Sequence, residues 1–182
     1  TDQGLISLPF AEVAPHLTLW RAPNDNDRIG HIEEKWRNWG LRELTRHSST
    51  VKRIGNKTTI HNIWKTGSEI SIKHTQVIES VADGLRVTEK VSLPKVLDDV
   101  ARVGINFELN GELDQFSFFG PGPHETVPDR KIGKIHRWSS SIAEQATNYI
   151  RPQEQGSHVG VRWFTLTNRT NHGLYFQFEK PL

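Results

Sequence analysis

The feature that most constrains this chain is a hydrophobic period of two. Leu85, Val87, Val91 and Leu93 alternate with Arg86, Thr88, Lys90 and Ser92, and Val103, Ile105, Phe107 and Leu109 alternate with Arg102, Asn106 and Glu108. Successive side chains of an extended strand point to opposite faces, so each stretch predicts a strand that buries one face. The pattern recurs weakly at Ile70 and Ile72, and clearly at Leu174, Phe176 and Phe178 against Tyr175, Gln177 and Glu179. Between these stretches lie residues suited to reversing the chain. Asp83-Gly84 and Asn110-Gly111 tolerate the positive φ of tight hairpins, and Gly55-Asn56 and Asn171-His172-Gly173 mark further turns. One-faced strands joined by short turns predict an antiparallel, all-β sandwich or barrel rather than βαβ units.

One segment has a different period. Ile32, Trp36 and Trp39 fall at helical spacing and Gly40 would end the run, so one short helix near 31–39 is expected. Phe119 to Ile132 and Ser139 to His158 follow neither period and are read as long ordered loops, where binding residues concentrate on a rigid scaffold. With 182 residues, six Trp, eight Phe and no internal repeat, residues 1–182 are expected to form a single domain with a sizeable core. The first residues, Thr1-Asp2-Gln3-Gly4, resemble neither a signal peptide nor a translation start, and the chain reads as a piece of a longer one.

Charge and composition exclude several functions. Lys plus Arg is 23 against 21 for Asp plus Glu, a net +2, which argues against a nucleic-acid partner; the densest basic run, Arg130, Lys131, Lys134 and Arg137 with His136, reads as a solvated strand edge. No apolar run is long enough for a membrane helix, so no membrane partner is expected. The absence of cysteine excludes disulfides, thiol nucleophiles and Cys-ligated zinc, and the nine histidines show no metal-ligand spacing.

Two segments concentrate polar chemistry. In Trp20-Arg21-Ala22-Pro23-Asn24-Asp25-Asn26-Asp27-Arg28, the Asp and Asn side chains have three uses open to them: ligating a hard cation, capping the helix that follows, or bonding a sugar hydroxyl or a neighbouring domain. In Phe119 to Arg130, Gly and Pro impose an irregular backbone that could present Glu125 and Asp129 as a hydrolytic carboxylate pair. Pro128 opposes a helix joining them, and Asp129 beside Arg130 has a local ion pair as its plainer reading.

Four ordered motifs carry a resemblance. Leu19-Trp20-Arg21-Ala22-Pro23-Asn24-Asp25-Asn26-Asp27, then Trp36 with Trp39-Gly40-Leu41, then Gly120-Pro121-Gly122-Pro123-His124-Glu125 with Pro128-Asp129-Arg130, then Tyr149-Ile150-Arg151-Pro152-Gln153-Glu154 with Val161-Arg162-Trp163, closely resemble the C-terminal domain of family 2 β-galactosidases, which also exists as a separate small chain.

The resemblance implies a large antiparallel sandwich similar to galactose mutarotase, packed on a catalytic (β/α)8 barrel or large subunit of a homo-oligomeric enzyme that cleaves galactosides with retention. The two catalytic glutamates, and magnesium and sodium, would belong to the barrel, so no catalytic residue, metal or cofactor is assigned to this chain. Arg21, Asn24, Asp25, Asn26, Asp27, His124, Glu125, Asp129 and Arg130 become candidates to face the barrel or the sugar rim. The family's late Asp-Asp-Ser-Trp segment and the strands before it do not occur before Leu182, which implies a sandwich truncated at its C-terminal end. Ser157-His158-Val159-Gly160 also departs from the family's Asn-Arg pairing. The rival readings are an independent carbohydrate-binding module and a mutarotase-like epimerase; the latter is opposed by the adjacency of His124 and Glu125, which in a strand would point to opposite faces.

Overall fold

The structure is a computed structural model that describes residues 9–182; Thr1-Asp2-Gln3-Gly4 lie outside the described residues. The fold is all-β and antiparallel, with little helix, as the alternation predicts. The described residues group into two units, one formed by Ala14–Phe107 and the other by Glu108–Leu182 with residues 9–13. Strands β1 (Ala11–Thr18) and β6 (Gly104–Leu109) pair as a two-stranded sheet and contribute residues to both units.

The first unit holds a four-stranded meander in chain order: β2 (Thr45–Ile54), β3 (Lys57–Lys65), β4 (Ser71–Val81) and β5 (Gly84–Ser92). The β2-β3 reversal uses Gly55 at φ +57°, and β5 opens on Gly84 at φ +148°, a value only glycine adopts readily. Ile60, Trp64 and Ile72 on one face of this sheet are buried. The alternation in β5 buries less than expected, because Leu85 and Val87 are 48% and 43% exposed. They lie near the turn, where these long strands outrun the residues packed on them.

Two helices precede this sheet. The expected one is α2 (Ile32–Asn38); an unpredicted turn of helix, α1 (Asp25–Ile29), comes just before it. α2 ends in a Schellman motif. Gly40 takes φ +65°, its N–H reaches the Arg37 carbonyl (2.8 Å), and the Leu41 N–H reaches that of Trp36 (3.1 Å). A Cβ at Gly40 would lie 2.7 Å from Gly67 backbone, so both conformation and space demand glycine there. Trp36 anchors the helix in a core with Leu17, Leu19, Leu41, Trp64, Ile72 and Leu97, and its indole N–H satisfies the Asp99 carbonyl at 2.8 Å.

The second unit holds β7 (Gln115–Gly122), β8 (Lys134–Ser141), β9 (Trp163–Thr167) and β10 (Gly173–Gln177) in the order β10-β9-β7-β8. The meander is broken here: β7 pairs with both β8 and β9, leaving β8 as an edge strand. Gly120-Pro121-Gly122, expected in the loop, instead continues β7 opposite Lys134, Ile135 and His136. The reason is packing. The Trp138 indole lies across this end of the strand and donates to the Gly120 carbonyl at 3.2 Å, and a Cβ at Gly122 would fall 2.6 Å from that ring. The second predicted loop begins later than expected, after β8, and includes a 3₁₀ turn at Ala143–Gln145.

Candidate functional site

The segment from Arg21 to Arg28 uses its polar atoms on itself. Asn24 is the N-cap of α1: its Oδ1 accepts from the Asp27 N–H (3.0 Å), while Asp27 Oδ2 accepts from the Asn24 N–H (2.8 Å), a reciprocal capping box. Arg21 closes the motif by donating both Nη atoms to the Asp27 carboxylate, at 2.5 and 2.9 Å, with Asp27 only 7% exposed. The same guanidinium lies 5.0 Å from the Trp36 ring centroid, and Arg37 lies 5.7 Å from that of Trp20. Asp25 pairs with Arg28 at 3.2 Å, and Asn26 is exposed. Of the three uses open to this segment, the structure shows helix capping joined to an ion pair, but the helix capped is α1 rather than the expected α2, whose N-cap His31 makes no side-chain cap bond. Among the described residues, no group of three or more His, Asp or Glu side chains is placed to hold a metal ion.

The second segment is organised around Glu125, whose side chain is 5% exposed. Oε1 accepts from Arg130 Nη2 (2.8 Å) and from the Tyr149 hydroxyl (2.5 Å), and Oε2 accepts from the Gly156 N–H (2.6 Å). One carboxylate thereby ties its own loop to the 149–156 stretch, whose two donors lie 24 and 31 residues on. Thr126, 1% exposed, adds a second tie: its N–H donates to the Ser157 carbonyl and its hydroxyl accepts from the Val159 N–H at 2.9 Å. Hydrogen bonding to Glu125 is the largest cause raising the Tyr149 phenol above its ordinary range, because the bond needs the phenolic proton.

Arg130 pairs with Glu125 and not with its neighbour Asp129. Val127 and Arg130 exchange backbone hydrogen bonds (3.2 and 2.9 Å), which puts Pro128 and Asp129 at the exposed tip of a tight turn. His124 is exposed while the Glu125 carboxylate points inward, the opposite orientations expected of neighbours in extended chain.

These residues border a cleft of about 600 Å³ lined by Pro123, His124, Glu125, Arg130, Ile132 and the Glu144–Asn148 stretch. Asp129 does not line it. The cleft's second carboxylate, Glu144, accepts from the Ser141 N–H (2.7 Å) and hydroxyl (2.9 Å), and the backbone bond foremost holds its pKa below the usual carboxylate range. His158 lies against Phe118, ring centroids 4.3 Å apart and planes inclined by 43°, and its Nε2 meets Gln145 Oε1 at 2.6 Å. Burial pushes its pKa down, partly opposed by Glu125.

Sequence reasoning missed Tyr149 and Gly156 as partners of Glu125, since nothing local marks residues 24 and 31 positions away. It also missed a polar chain on the buried face of the β2-β3-β4-β5 sheet. The Trp64 indole N–H donates to His74 Nδ1 (3.2 Å), so His74 carries its proton on Nε2, which donates to Glu89 Oε2 (2.6 Å); Gln76 Nε2 donates to Glu89 Oε1 (2.6 Å). The available signal was the period-two row Ile72, His74, Gln76, polar residues at positions where strand alternation demands burial.

Comparison with known proteins agrees with the motifs. A family model described as the beta galactosidase small chain matches residues 3–180. Among curated proteins, a β-galactosidase of Priestia megaterium (strain DSM 319 / IMG 1521) is 29% identical over 162 residues, covering 86% of this chain and 15% of that protein. One from Arthrobacter sp. (strain B7) is 30% identical over 90% of this chain and 18% of its own length. The β-galactosidase BgaC of Bifidobacterium adolescentis is 30% identical over 96% of this chain and 18% of its own length. The chain thus spans less than a fifth of the length of these relatives.

Proposed function

Since the chain belongs to the β-galactosidase small-chain family, we propose that it is a non-catalytic domain of such an enzyme, packing on a catalytic (β/α)8 barrel and shaping the rim of the galactoside site. The parent enzyme would hydrolyse terminal β-D-galactosides with retention, using a pair of carboxylates outside this chain. One observation carries the reading: both carboxylates that line the cleft are committed to their own loops, Glu125 to three donors and Glu144 to two. A retaining glycosidase needs one carboxyl free to exchange a proton with the leaving group and another free to attack. Glu125 is spent on three donors, and Glu144, whose pKa is held below the usual carboxylate range, is not suited to supply that proton. The loops are instead held in a fixed shape, and His124 and the remaining donors of Arg130 are left at the surface for a neighbour or a sugar hydroxyl.

The capped Arg21–Asp27 segment acts in the same way, presenting Asp25 and Asn26 from a rigid turn. Magnesium and sodium belong, by the resemblance, to the barrel, and no step is routed through them here. The test is direct. The purified chain should not cleave a chromogenic galactoside, whereas the enzyme lacking this domain should lose most of its activity. Cleavage by the chain alone that Glu125→Gln abolishes would place the catalysis here and overturn the proposal.

A further inference from the structure

Asn110-Gly111, read from the sequence as a positive-φ hairpin turn, is built differently. It lies between β6 and β7, and neither residue takes a positive φ. The Leu113 N–H donates to the Asn110 carbonyl at 3.3 Å, and the Glu112 N–H donates to Asn110 Oδ1 at 2.6 Å, an Asx turn. Gly111 is exposed, and a Cβ built on it would meet no atom within 4 Å. Among the described glycines it alone is held neither by a left-handed backbone nor by a neighbour. Neither conformation nor space demands glycine here. What the missing side chain does is leave the peptide nitrogen uncrowded.

An asparagine side-chain amide can be attacked by the peptide nitrogen that follows it, an intramolecular step that needs no encounter. Asn110 is the one asparagine of ten that glycine follows. The Gly111 N–H donates to no acceptor among the described residues, so its proton is open to solvent base. Attack on Asn110 Cγ drives negative charge onto Oδ1, where the Glu112 N–H already stands; a donor placed where charge develops lowers the barrier. Asn168 is a comparison within the same chain. Its Oδ1 accepts from the Thr170 and His172 N–H groups, both at 3.0 Å, but Arg169 follows it. Donors to the amide oxygen are present at both sites, and the uncrowded nitrogen at only one.

We propose that Asn110-Gly111 is a self-modification site, at which the chain converts Asn110 to aspartate and isoaspartate with water as the sole co-reactant. Solvent base removes the Gly111 N–H proton, and the nitrogen bonds to Asn110 Cγ. The Cγ–Nδ2 bond breaks, and Nδ2 leaves as ammonia with a proton returned from water. Water then opens the cyclic imide. Breaking the bond from nitrogen to Cγ gives aspartate, and breaking the bond from nitrogen to the backbone carbonyl carbon gives isoaspartate. Nothing is oxidised or reduced. Both products put a carboxylate where a neutral amide stood, and isoaspartate also carries the main chain through the side chain, lengthening it by a methylene. The turn that absorbs this change is tied at both ends: the Asn110 N–H donates to the Phe10 carbonyl at 2.8 Å, and the Leu113 N–H that meets the Asn110 carbonyl belongs to a side chain only 6% exposed. Neither product returns to the amide, so the converted fraction grows with the age of the molecule.

The complete protein is aged in mildly alkaline buffer made with heavy-oxygen water, then digested in acid, and its asparagine peptides are resolved by mass spectrometry. The Asn110 peptide should take up the label and separate into aspartate and isoaspartate forms about tenfold faster than the Asn168 peptide, a barrier difference of about 1.4 kcal/mol. Gly111→Ala, whose methyl meets open space, should slow conversion at 110 by about tenfold. Its urea midpoint should be no lower than the parent's, which separates the missing reaction from misfolding. A parallel sample in urea reports the unfolded chain. Equal rates at 110 and 168 overturn the proposal, as does a Gly111→Ala variant that converts as fast as the parent. An Asn110 that survives in the folded protein and converts only in urea overturns it too.

Discussion

Replacing Glu125 by alanine should destabilise the chain more than removing any one of its partners. The buried carboxylate satisfies three donors at 2.5 to 2.8 Å, and its loss affects them unequally. The Gly156 N–H and the half-buried Tyr149 hydroxyl lose their acceptor, at about 1–3 kcal/mol each. Arg130 is 53% exposed and returns to water, so its share is about 0–1 kcal/mol. The sum is about 2–7 kcal/mol for Glu125→Ala. Tyr149→Phe removes one donor while leaving the carboxylate with two, and should cost about 1–1.5 kcal/mol. Urea unfolding followed by tryptophan fluorescence gives the order, and a double-mutant cycle between Glu125 and Tyr149 should return a coupling of about 1 kcal/mol or more. Equal midpoints for Glu125→Ala and Tyr149→Phe, or a coupling near zero, would refute the idea that this carboxylate holds the loops together.

Further outcomes follow from the same bonds. Burial lowers the His158 pKa, so between its depressed folded value and about 6.5 the unfolded chain binds the extra proton. Stability is therefore full above about 6.5 and falls as pH drops through the folded value, and His158→Phe should flatten that decline in urea midpoints taken across the acid limb. For Tyr149 the sign is reversed: its raised pKa keeps the proton on the folded form, and stability is lost as pH climbs from about 10 through the folded value. Because the chain has only two tyrosines, comparing absorbance titrations of the parent and Tyr149→Phe isolates this transition. Glu89→Ala should cost about 2–4 kcal/mol in urea unfolding by orphaning the buried His74 Nε2–H and the Gln76 amide, against about 1–2 kcal/mol for Trp64→Phe.

The strands were legible wherever local order alone fixes them. Alternation at Val103 to Leu109 and at Leu174 to Phe178 located β6 and β10, and the spacing of Ile32, Trp36 and Gly40 located α2, because side-chain direction repeats with the backbone period. The alternation at Leu85 and Val87 marked β5 but misjudged its burial, since a period reports which side chains share a face and not whether anything covers it. Gly120-Pro121-Gly122 read as loop for a related reason. Propensity penalises glycine and proline in strands, while the Trp138 indole, invisible from that stretch, makes the absence of side chains there a requirement.

The candidate residues divide the same way. Asn24 and Asp27, three apart, could be read as a helix cap from order alone, because both bonds close within one turn. The hub at Glu125 could not. Its partners Tyr149 and Gly156 are brought to it by the return of the chain between β8 and β9, and a hydrogen bond across that distance leaves no periodic trace. Residue order by itself thus determined the antiparallel all-β class, the place of α2 and the four motifs that signal the family, since each depends on neighbours along the chain. Tertiary structure alone decided which carboxylates are occupied and which aromatic rings face solvent, since burial and bonding at those places are set by residues remote in sequence.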